Sequence, residues 1–141
     1  MRDERGFSLI ELLMVVVIIG LIASIAVPNL KRARQQAYSS SAIQSMRTIT
    51  TAEVLYERKF KEYATLAQLA PEGTLDPYLG AGLKGHYVFV ITLAADKLHY
   101  TVTASPLLDP AEMNYYFTDE STVIRVNDGG PADVNSDPIP R

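Results

Sequence analysis

The fold of this 141-residue chain is decided by the stretch Gly6-Phe-Ser-Leu-Ile-Glu-Leu-Leu-Met-Val-Val-Val-Ile-Ile-Gly-Leu-Ile-Ala-Ser-Ile-Ala-Val-Pro28. Its uncharged part, Leu12 to Val27, is 16 residues long, and Ser24 is the single polar residue in it. A helix needs roughly 20 apolar residues to cross a bilayer, and extension of the run back to Phe7 gives 21 but includes Glu11. We therefore predict a membrane-spanning helix with an ionisable residue near one end, and such a residue indicates a function.

The residues alone leave two ordinary interpretations of this stretch open. In the first, Met1–Gly6 begins a secretory signal peptide that ends at a small-residue cleavage site, Ser24-Ile-Ala26. Signal peptides begin with a positive segment, whereas this leader is neutral because its two arginines are balanced by Asp3 and Glu4. In the second, the helix is a plain single-pass anchor. Neither interpretation gives Glu11 a role.

Gly6, Phe7 and Glu11, placed before an apolar run and Pro28, resemble the N-terminal motif of the type IV pilins and of the pseudopilins of secretion systems. The resemblance fades beyond Tyr38. In that family a membrane-embedded peptidase cuts after the glycine, and the new N-terminal residue is N-methylated. The resemblance therefore implies cleavage after Gly6 and methylation of Phe7, and it implies that Gly20 and Pro28 loosen the helix.

The resemblance also implies a way of assembling. Cleavage exposes a cationic amine at Phe7, and Glu11 on the next turn can neutralise that amine or the amine of a neighbouring subunit, which matters most in an apolar filament core. The implied partners are further copies of the chain, a prepilin peptidase and methyltransferase, an inner-membrane assembly platform and, before assembly, membrane lipid. The implied location is the inner membrane, with a single span, and then a cell-surface pilus or a periplasmic pseudopilus.

Beyond Pro28 the apolar residues recur at spacings of three and four, which predicts an amphipathic helix. They are Leu30, Ala33, Ala37, Ala42, Met46, Ile49, Ala52, Tyr56 and Phe60. No glycine and no further proline occurs before Pro71, so residues 7–62 are predicted to form one helix, with a bend or local loosening at Pro28.

The rest of the chain predicts an antiparallel sheet. Residues 66–85 are rich in proline and glycine and are predicted to form a loop. Residues 86–93 and 98–104 are predicted to form a hairpin with Phe89 opposite Val102 and Ile91 opposite Tyr100, and a second hairpin pairs 113–118 with 122–127. A long helix followed by an antiparallel meander is an α+β fold, and the pilin resemblance implies the same arrangement.

Four regions follow from these predictions. Residues 1–6 are a leader that is removed, and 7–28 are the transmembrane or filament-core half of the helix. Residues 29–62 are its amphipathic half, and 63–141 are the connecting loop and the sheet head.

Charge is distributed unevenly along the chain. Residues 1–62 carry 9 Lys/Arg and 6 Asp/Glu, whereas residues 63–141 carry 4 and 10. Lys31, Arg32 and Arg34 follow the span, and we expect them to lie in solvent or at the level of lipid headgroups; nucleic acid is not an expected partner, because 13 basic residues face 16 acidic ones. Only Arg2 and Arg5 precede the span, so the positive-inside rule leaves the orientation ambiguous or reversed.

Composition and motifs give no indication of catalysis. The absence of cysteine excludes thiol chemistry and disulfides, including the C-terminal disulfide of typical type IV pilins, and this keeps the pseudopilin alternative open. His86 and His99 are predicted at opposite ends of the first hairpin, too far apart to share a metal. Asp133-x-Asn135-x-Asp137 resembles the start of a calcium loop, but Pro138 stands where a glycine should turn the chain, so we expect a polar, mobile terminus.

We therefore predict a non-enzymatic structural subunit of a type IV pilus-like filament, with no cofactor and no metal. The first alternative is a pseudopilin of a type II secretion system. The second, from another class, is a membrane-tethered binding module that does not polymerise.

Overall fold

The computed structural model of the protein describes residues 7–139. The helices are α1 (Leu9–Phe60), α2 (Leu66–Leu69) and α3 (Pro77–Gly80), with a 3₁₀ turn at Ala70–Glu72 between the two short ones. The strands are β1 (Leu83–Lys84), β2 (Tyr87–Leu93), β3 (Tyr100–Pro106), β4 (Asn114–Asp119), β5 (Arg125–Asp128) and β6 (Asp137–Pro138). This arrangement, a long N-terminal helix and a small antiparallel sheet, confirms the predicted α+β fold.

Helix α1 is 52 residues long and nearly matches the predicted range, 7–62. It continues through Gly20 and Pro28 without a break in its assigned structure. Arg58 and Lys59 lie in its last turn, where cations are stabilised by the helix dipole. The helix ends where Lys61 adopts a left-handed φ of 62° and its amide donates to the carbonyl of Glu57 at 2.7 Å.

The described residues form two compact units that divide between Gln36 and Ala37. The first contains the apolar part of α1. The second contains the C-terminal part of α1 and all six strands, and we call it the body. Its core is formed by one face of the helix, one face of the sheet and the connecting segment, and the largest fully buried apolar side chains there are Met46, Ile49, Leu69, Leu79, Tyr87, Tyr100 and Val102.

The six strands form a meander in the order β1-β2-β3-β4-β5-β6, and every neighbouring pair is antiparallel. Burial alternates strictly along β3, from Tyr100 to Pro106, as expected for a sheet with one covered face. Tyr87 is fully buried under the helix, and its hydroxyl donates to the carbonyl of Asn114 at 2.9 Å, which ties β2 to the start of β4.

The predicted register of the first hairpin is wrong by two residues. Phe89 lies opposite Ala104 and Ile91 opposite Val102, not opposite Val102 and Tyr100. The turn is longer than predicted because Lys97 adopts a left-handed φ of 56° and Ala94 pairs with His99, so that β3 begins at Tyr100. Side chains alternate with a period of two, so a shift of two residues keeps the predicted inward residues of the paired strands on the inward face. Leu98, predicted to face inward opposite Leu93, instead lies in the longer turn with 56% of its surface exposed.

The segment predicted as a loop, 66–85, contains more structure than predicted. It forms α2, the 3₁₀ turn, α3 and β1. The carboxylate of Asp76 caps α3 by accepting from the amides of Tyr78 and Leu79, both at 3.1 Å. Two buried leucines, Leu69 and Leu79, hold the segment on the core.

Two C-terminal predictions also need correction. The second hairpin has β5 beginning at Arg125 instead of residue 122, because Thr122 adopts a left-handed φ of 60° and lengthens the turn. The tail expected to be mobile contains β6, which pairs with β5 through Val126 and Asp137. A turn orders the approach to β6, since the carboxylate of Asp133 accepts from the amide of Asn135 at 2.9 Å.

Candidate functional site: the start of helix α1

The predicted cleavage and methylation site lies at the edge of the described chain. Gly6 and the leader, 1–6, lie outside the described residues. Phe7 precedes the first helical residue, and 74% of its surface is exposed. The predicted roles of Gly6 and Phe7 therefore remain predictions from the motif.

Glu11 lies in the first turn of α1, and its side chain is exposed. The amides of Glu11 and Leu12 donate to the carbonyl of Ser8 at 3.0 and 3.2 Å, which closes that turn. A carboxylate in the first turn is stabilised by the helix dipole. The helix dipole therefore favours a carboxylate at Glu11 independently of the assembly role that the motif implies.

The helix after Glu11 exposes apolar side chains all round. Every large apolar side chain of this part of the helix has more than 40% of its surface exposed, and these residues are Leu9, Ile10, Leu12, Leu13, Met14, Val15, Val16, Val17, Ile18, Ile19, Leu21, Ile22, Ile25, Val27 and Leu30. Among the described residues, one helix is long and apolar enough to cross a membrane, and it is α1. An apolar surface of this extent marks a site of contact with a membrane or with other protein.

The two predicted helix-loosening residues lie within this apolar part. A Cβ added at Gly20 would meet nothing within 4 Å, so no contact in the described chain requires a glycine there. Pro28 lacks the amide that would bond to the carbonyl of Ser24. Loosening at both positions stays a prediction.

Glu53 is a buried carboxylic acid that the sequence analysis did not identify. Its side chain is fully buried on the inward face of α1, and one carboxyl oxygen accepts from the amide of Ala64 at 3.0 Å. The other oxygen has no hydrogen-bond partner among the described residues. A signal was available, because Glu53 follows Met46 and Ile49 at helical spacings of seven and four and so interrupts an apolar face.

Burial raises the pKa of Glu53 to about 7, and the Ala64 amide opposes the shift only in part. Burial raises the pKa of the Tyr100 hydroxyl, and the charge of nearby Glu53 raises it further. That hydroxyl is also buried without a partner in the described part of the chain, and the ring of Tyr63 packs on the Tyr100 ring with centroids 4.5 Å apart. Glu53 thus links α1 to the following segment through its hydrogen bond with Ala64, and it interacts electrostatically with Tyr100 on β3.

The two histidines lie at opposite ends of β2, as predicted. His86 packs against the ring of Tyr38 at 4.4 Å, just before the strand begins. His99 lies beyond the far end, where the carboxylate of Glu120 at 2.8 Å raises the pKa of the imidazole. Within residues 7–139, no three His, Cys, Asp or Glu side chains are grouped as a metal site requires.

Comparison with known proteins identifies the N-terminal segment. Residues 1–27 match the family model of the prokaryotic N-terminal methylation motif. The chain is 33% identical over 89 residues to the type II secretion system core protein G of Escherichia coli K12, a match that covers 60% of this chain and 61% of that protein. It is 35% identical over 72 residues to the type IV major pilin PilA of Myxococcus xanthus, covering 49% of this chain and 33% of PilA.

A further relative is the type II secretion system core protein G of Vibrio cholerae, with 35% identity over 68 residues, 48% of this chain and 47% of that protein. The chain thus spans between one third and about three fifths of the length of these relatives. No solved structure matches the chain. The motif and the relatives confirm the resemblance that Gly6, Phe7 and Glu11 indicated.

Proposed function

We propose that this chain, a type IV pilin or pseudopilin by its motif and its relatives, is a structural, non-enzymatic subunit of a type IV pilus-like filament. It is made as a precursor held in the inner membrane by a single span, cleaved after Gly6 and N-methylated at Phe7. It then polymerises through the N-terminal part of α1. The observation that carries the proposal is the apolar part of α1 at the methylation motif, where every large side chain has more than 40% of its surface exposed.

The exposed apolar surface explains why such a subunit needs two environments. Removal of apolar surface from water is worth about 25 cal/mol per Å², so this part of the helix is stable in lipid or among other apolar helices and not in water. Lipid supplies the first environment and neighbouring copies of the helix supply the second. The subunit passes from lipid to the filament after the peptidase has released it and the assembly platform has transferred it.

Glu11 supplies the register of assembly. Cleavage creates a cationic amine at Phe7, and a carboxylate buried in a filament core without a cation would be strongly destabilising. Glu11 of one copy can pair with the Phe7 amine of another copy. Both charges are then neutralised only at one axial position of the two helices relative to each other. The exposed position of Glu11 in the first turn leaves its carboxylate accessible to a second copy.

The second candidate function is that of a pseudopilin in a type II secretion system. Two of the three relatives described above carry the name of the secretion system core protein G. The chain also has no cysteine for the C-terminal disulfide of typical type IV pilins. In this function the filament is a short periplasmic one, and the subunit mechanism is unchanged.

The first experiment is mass spectrometry of the chain purified from its native cells. We expect a mature chain that begins at Phe7 and carries a methyl group on its amine. A chain that begins at Val27 would instead indicate a signal peptide, and an intact Met1 would indicate a plain anchor.

The second experiment compares Glu11→Leu with Glu11→Asp, which keeps the charge. We expect Glu11→Leu to insert and to be cleaved normally but to give few or no filaments in the sheared fraction, because the Phe7 amine is left unpaired. Glu11→Asp should retain part of the yield. Filaments at the wild-type level from Glu11→Leu would exclude the pairing mechanism, and a wild-type chain found only in the membrane fraction would favour the tethered binding module.

A further inference from the structure

The charge along α1 has one sign over most of its length. Between Glu11 and Glu53 the sequence contains no acidic residue, and its cations are Lys31, Arg32, Arg34 and Arg47. Three of these four stand within one helical turn, directly after the apolar run. We call Lys31, Arg32 and Arg34 the basic collar, and all three side chains are exposed.

The distance of the basic collar from the apolar run matches the depth of lipid phosphates. Helix α1 is continuous here, so Lys31 lies about 6 Å and Arg34 about 10 Å beyond Val27 along the axis. A bilayer has a hydrocarbon core of about 30 Å and a total thickness of about 40–45 Å, which leaves roughly 5–8 Å of headgroup region on each side. Long basic side chains reach back toward that layer while their stems cover apolar surface.

We propose that the basic collar binds the phosphate groups of anionic phospholipids in the leaflet from which the body emerges, before the subunit enters a filament. The inference deepens the proposed function and rests on it in one respect, namely that residues 7–28 span the membrane. It also accounts for cations on the side of the span opposite to the leader, where the positive-inside rule does not expect them.

Lipid, and not nucleic acid, is the occupant that the charges favour. The basic collar adjoins an apolar run that fixes it at a membrane surface, whereas residues 63–141 carry 10 acidic and 4 basic residues and repel a polyanion in solution. Each cation near an anionic surface contributes about a fivefold preference, so three act together as one binding element.

The experiment uses the complete chain in vesicles and exploits the absence of cysteine. Val27→Cys introduces a single thiol at the end of the apolar run, which is labelled with a fluorophore. The labelled chain is reconstituted into vesicles in which either phosphatidylglycerol or phosphatidylcholine carries brominated, quenching acyl chains at equal mole fraction. The ratio of the two quenching efficiencies measures which lipid surrounds the end of the span.

We expect quenching by the anionic lipid to exceed quenching by the zwitterionic lipid several-fold. The ratio should fall to about one in Lys31→Gln/Arg32→Gln/Arg34→Gln, and it should also fall at about 1 M salt, where the screening length is about 3 Å. Arg47→Gln removes an exposed cation more than three turns further along the helix and should leave the ratio unchanged.

Three outcomes would overturn the inference. One is a ratio of one for the inserted wild-type chain, and another is an equal loss of preference in Arg47→Gln. The third is binding of a labelled DNA duplex to the chain in zwitterionic vesicles that the triple substitution abolishes. Flotation of the vesicles measures insertion separately, so a chain that does not insert contradicts the proposed function, whereas an inserted chain without lipid preference contradicts only the basic collar.

Discussion

The N-terminal and C-terminal parts of α1 share one helix and differ in how their side chains are covered. Ile18, in the first part, has 53% of its surface exposed, whereas Ile49, in the second, is fully buried. The same contrast holds for the two carboxylates, because Glu11 is exposed and Glu53 is buried. Helix formation therefore says nothing about burial, which is set by what packs on the helix.

The contrast indicates where each part obtains its stability. The second part lies on the sheet of its own chain, and each large apolar side chain buried there contributes about 1.5–3 kcal/mol. The first part has no such cover within the described chain, and under the proposed function lipid or other subunits supply it. Three substitution pairs and one set of three glycines test this difference. Tyrosine near-UV circular dichroism suits them because all eight tyrosines lie between Tyr38 and Tyr116 and so report on the body.

The largest effect is expected in the sheet that covers α1. Phe89 faces the helix and has 2% of its surface exposed, whereas its neighbour Val90 faces outward with 49% exposed. Phe89→Ala in detergent-solubilised chain should lower the free energy of unfolding of the body by about 3–5 kcal/mol, since a cavity remains. Val90→Ala should change it by less than about 1 kcal/mol. Denaturant titrations measure both, and equal losses would mean that the sheet covers the helix with the other face.

The second pair compares the same residue type in the two parts of α1. Ile49→Ala should lower the free energy of unfolding of the body by about 2–5 kcal/mol, because Ile49 is completely enclosed. Ile18→Ala should leave it within about 0.5 kcal/mol of wild type, because 53% of the Ile18 surface is exposed. A loss of similar size from Ile18→Ala in the same titration would contradict the independence of the two parts.

The third pair concerns pH and the two carboxylates. The pKa of Glu53 is about 7 in the folded chain and near 4.5 when unfolded, so folding favours the protonated acid. The contribution of Glu53 to the free energy of unfolding of the body should therefore be largest below about pH 4.5. It should lose about 2–3 kcal/mol as the pH rises to about 7 and then level off.

Glu53→Gln should remove this dependence, and Glu11→Gln should not. The other titratable groups that interact with this region are Tyr63, Tyr100, Glu57, Asp119 and Glu120, and both tyrosines titrate well above the tested range. Pairing with Glu120 raises the pKa of the His99 imidazole, so His99→Gln serves as the background for both variants. Thermal unfolding between pH 4 and 8 measures the slope, and an unchanged slope in Glu53→Gln would exclude Glu53 as its source.

The last comparison is of three glycines that differ in backbone conformation and in the space around them. Gly82 has a φ of +78°, and an added Cβ would lie 2.9 Å from the carbonyl oxygen of Phe89, so Gly82→Ala should lower the free energy of unfolding by about 2–4 kcal/mol. Gly73 has a φ of +75° and open space, so Gly73→Ala should cost only about 1–2 kcal/mol. Gly20→Ala should not affect the body, and it should stiffen the apolar part of α1 if Gly20 loosens that part. Hydrogen exchange of amides around Gly20 measures the latter.

The sequence by itself determined the long helix, the antiparallel meander, the face of the first hairpin that points inward and the N-terminal motif. These features depend on local patterns, namely an uncharged run, apolar spacings of three and four, and a period of two in the strands. The motif was readable because cleavage, methylation and charge pairing each need a particular residue type at a fixed place near the chain start. The roles of Gly6 and Phe7 are therefore predictions that rest on the motif alone.

Only the tertiary structure decided the hairpin register, the helical turns between residues 66 and 80, and the burial of Glu53. The register depended on left-handed turn residues such as Lys97 and Thr122, which have no strong sequence signature. Glu53 is readable as an interruption of an apolar face, but its burial depends on Tyr100 from β3 and Ala64 from the connecting segment coming together around it. Local patterns specify backbone structure, whereas the environment of a side chain is set by residues distant in the chain.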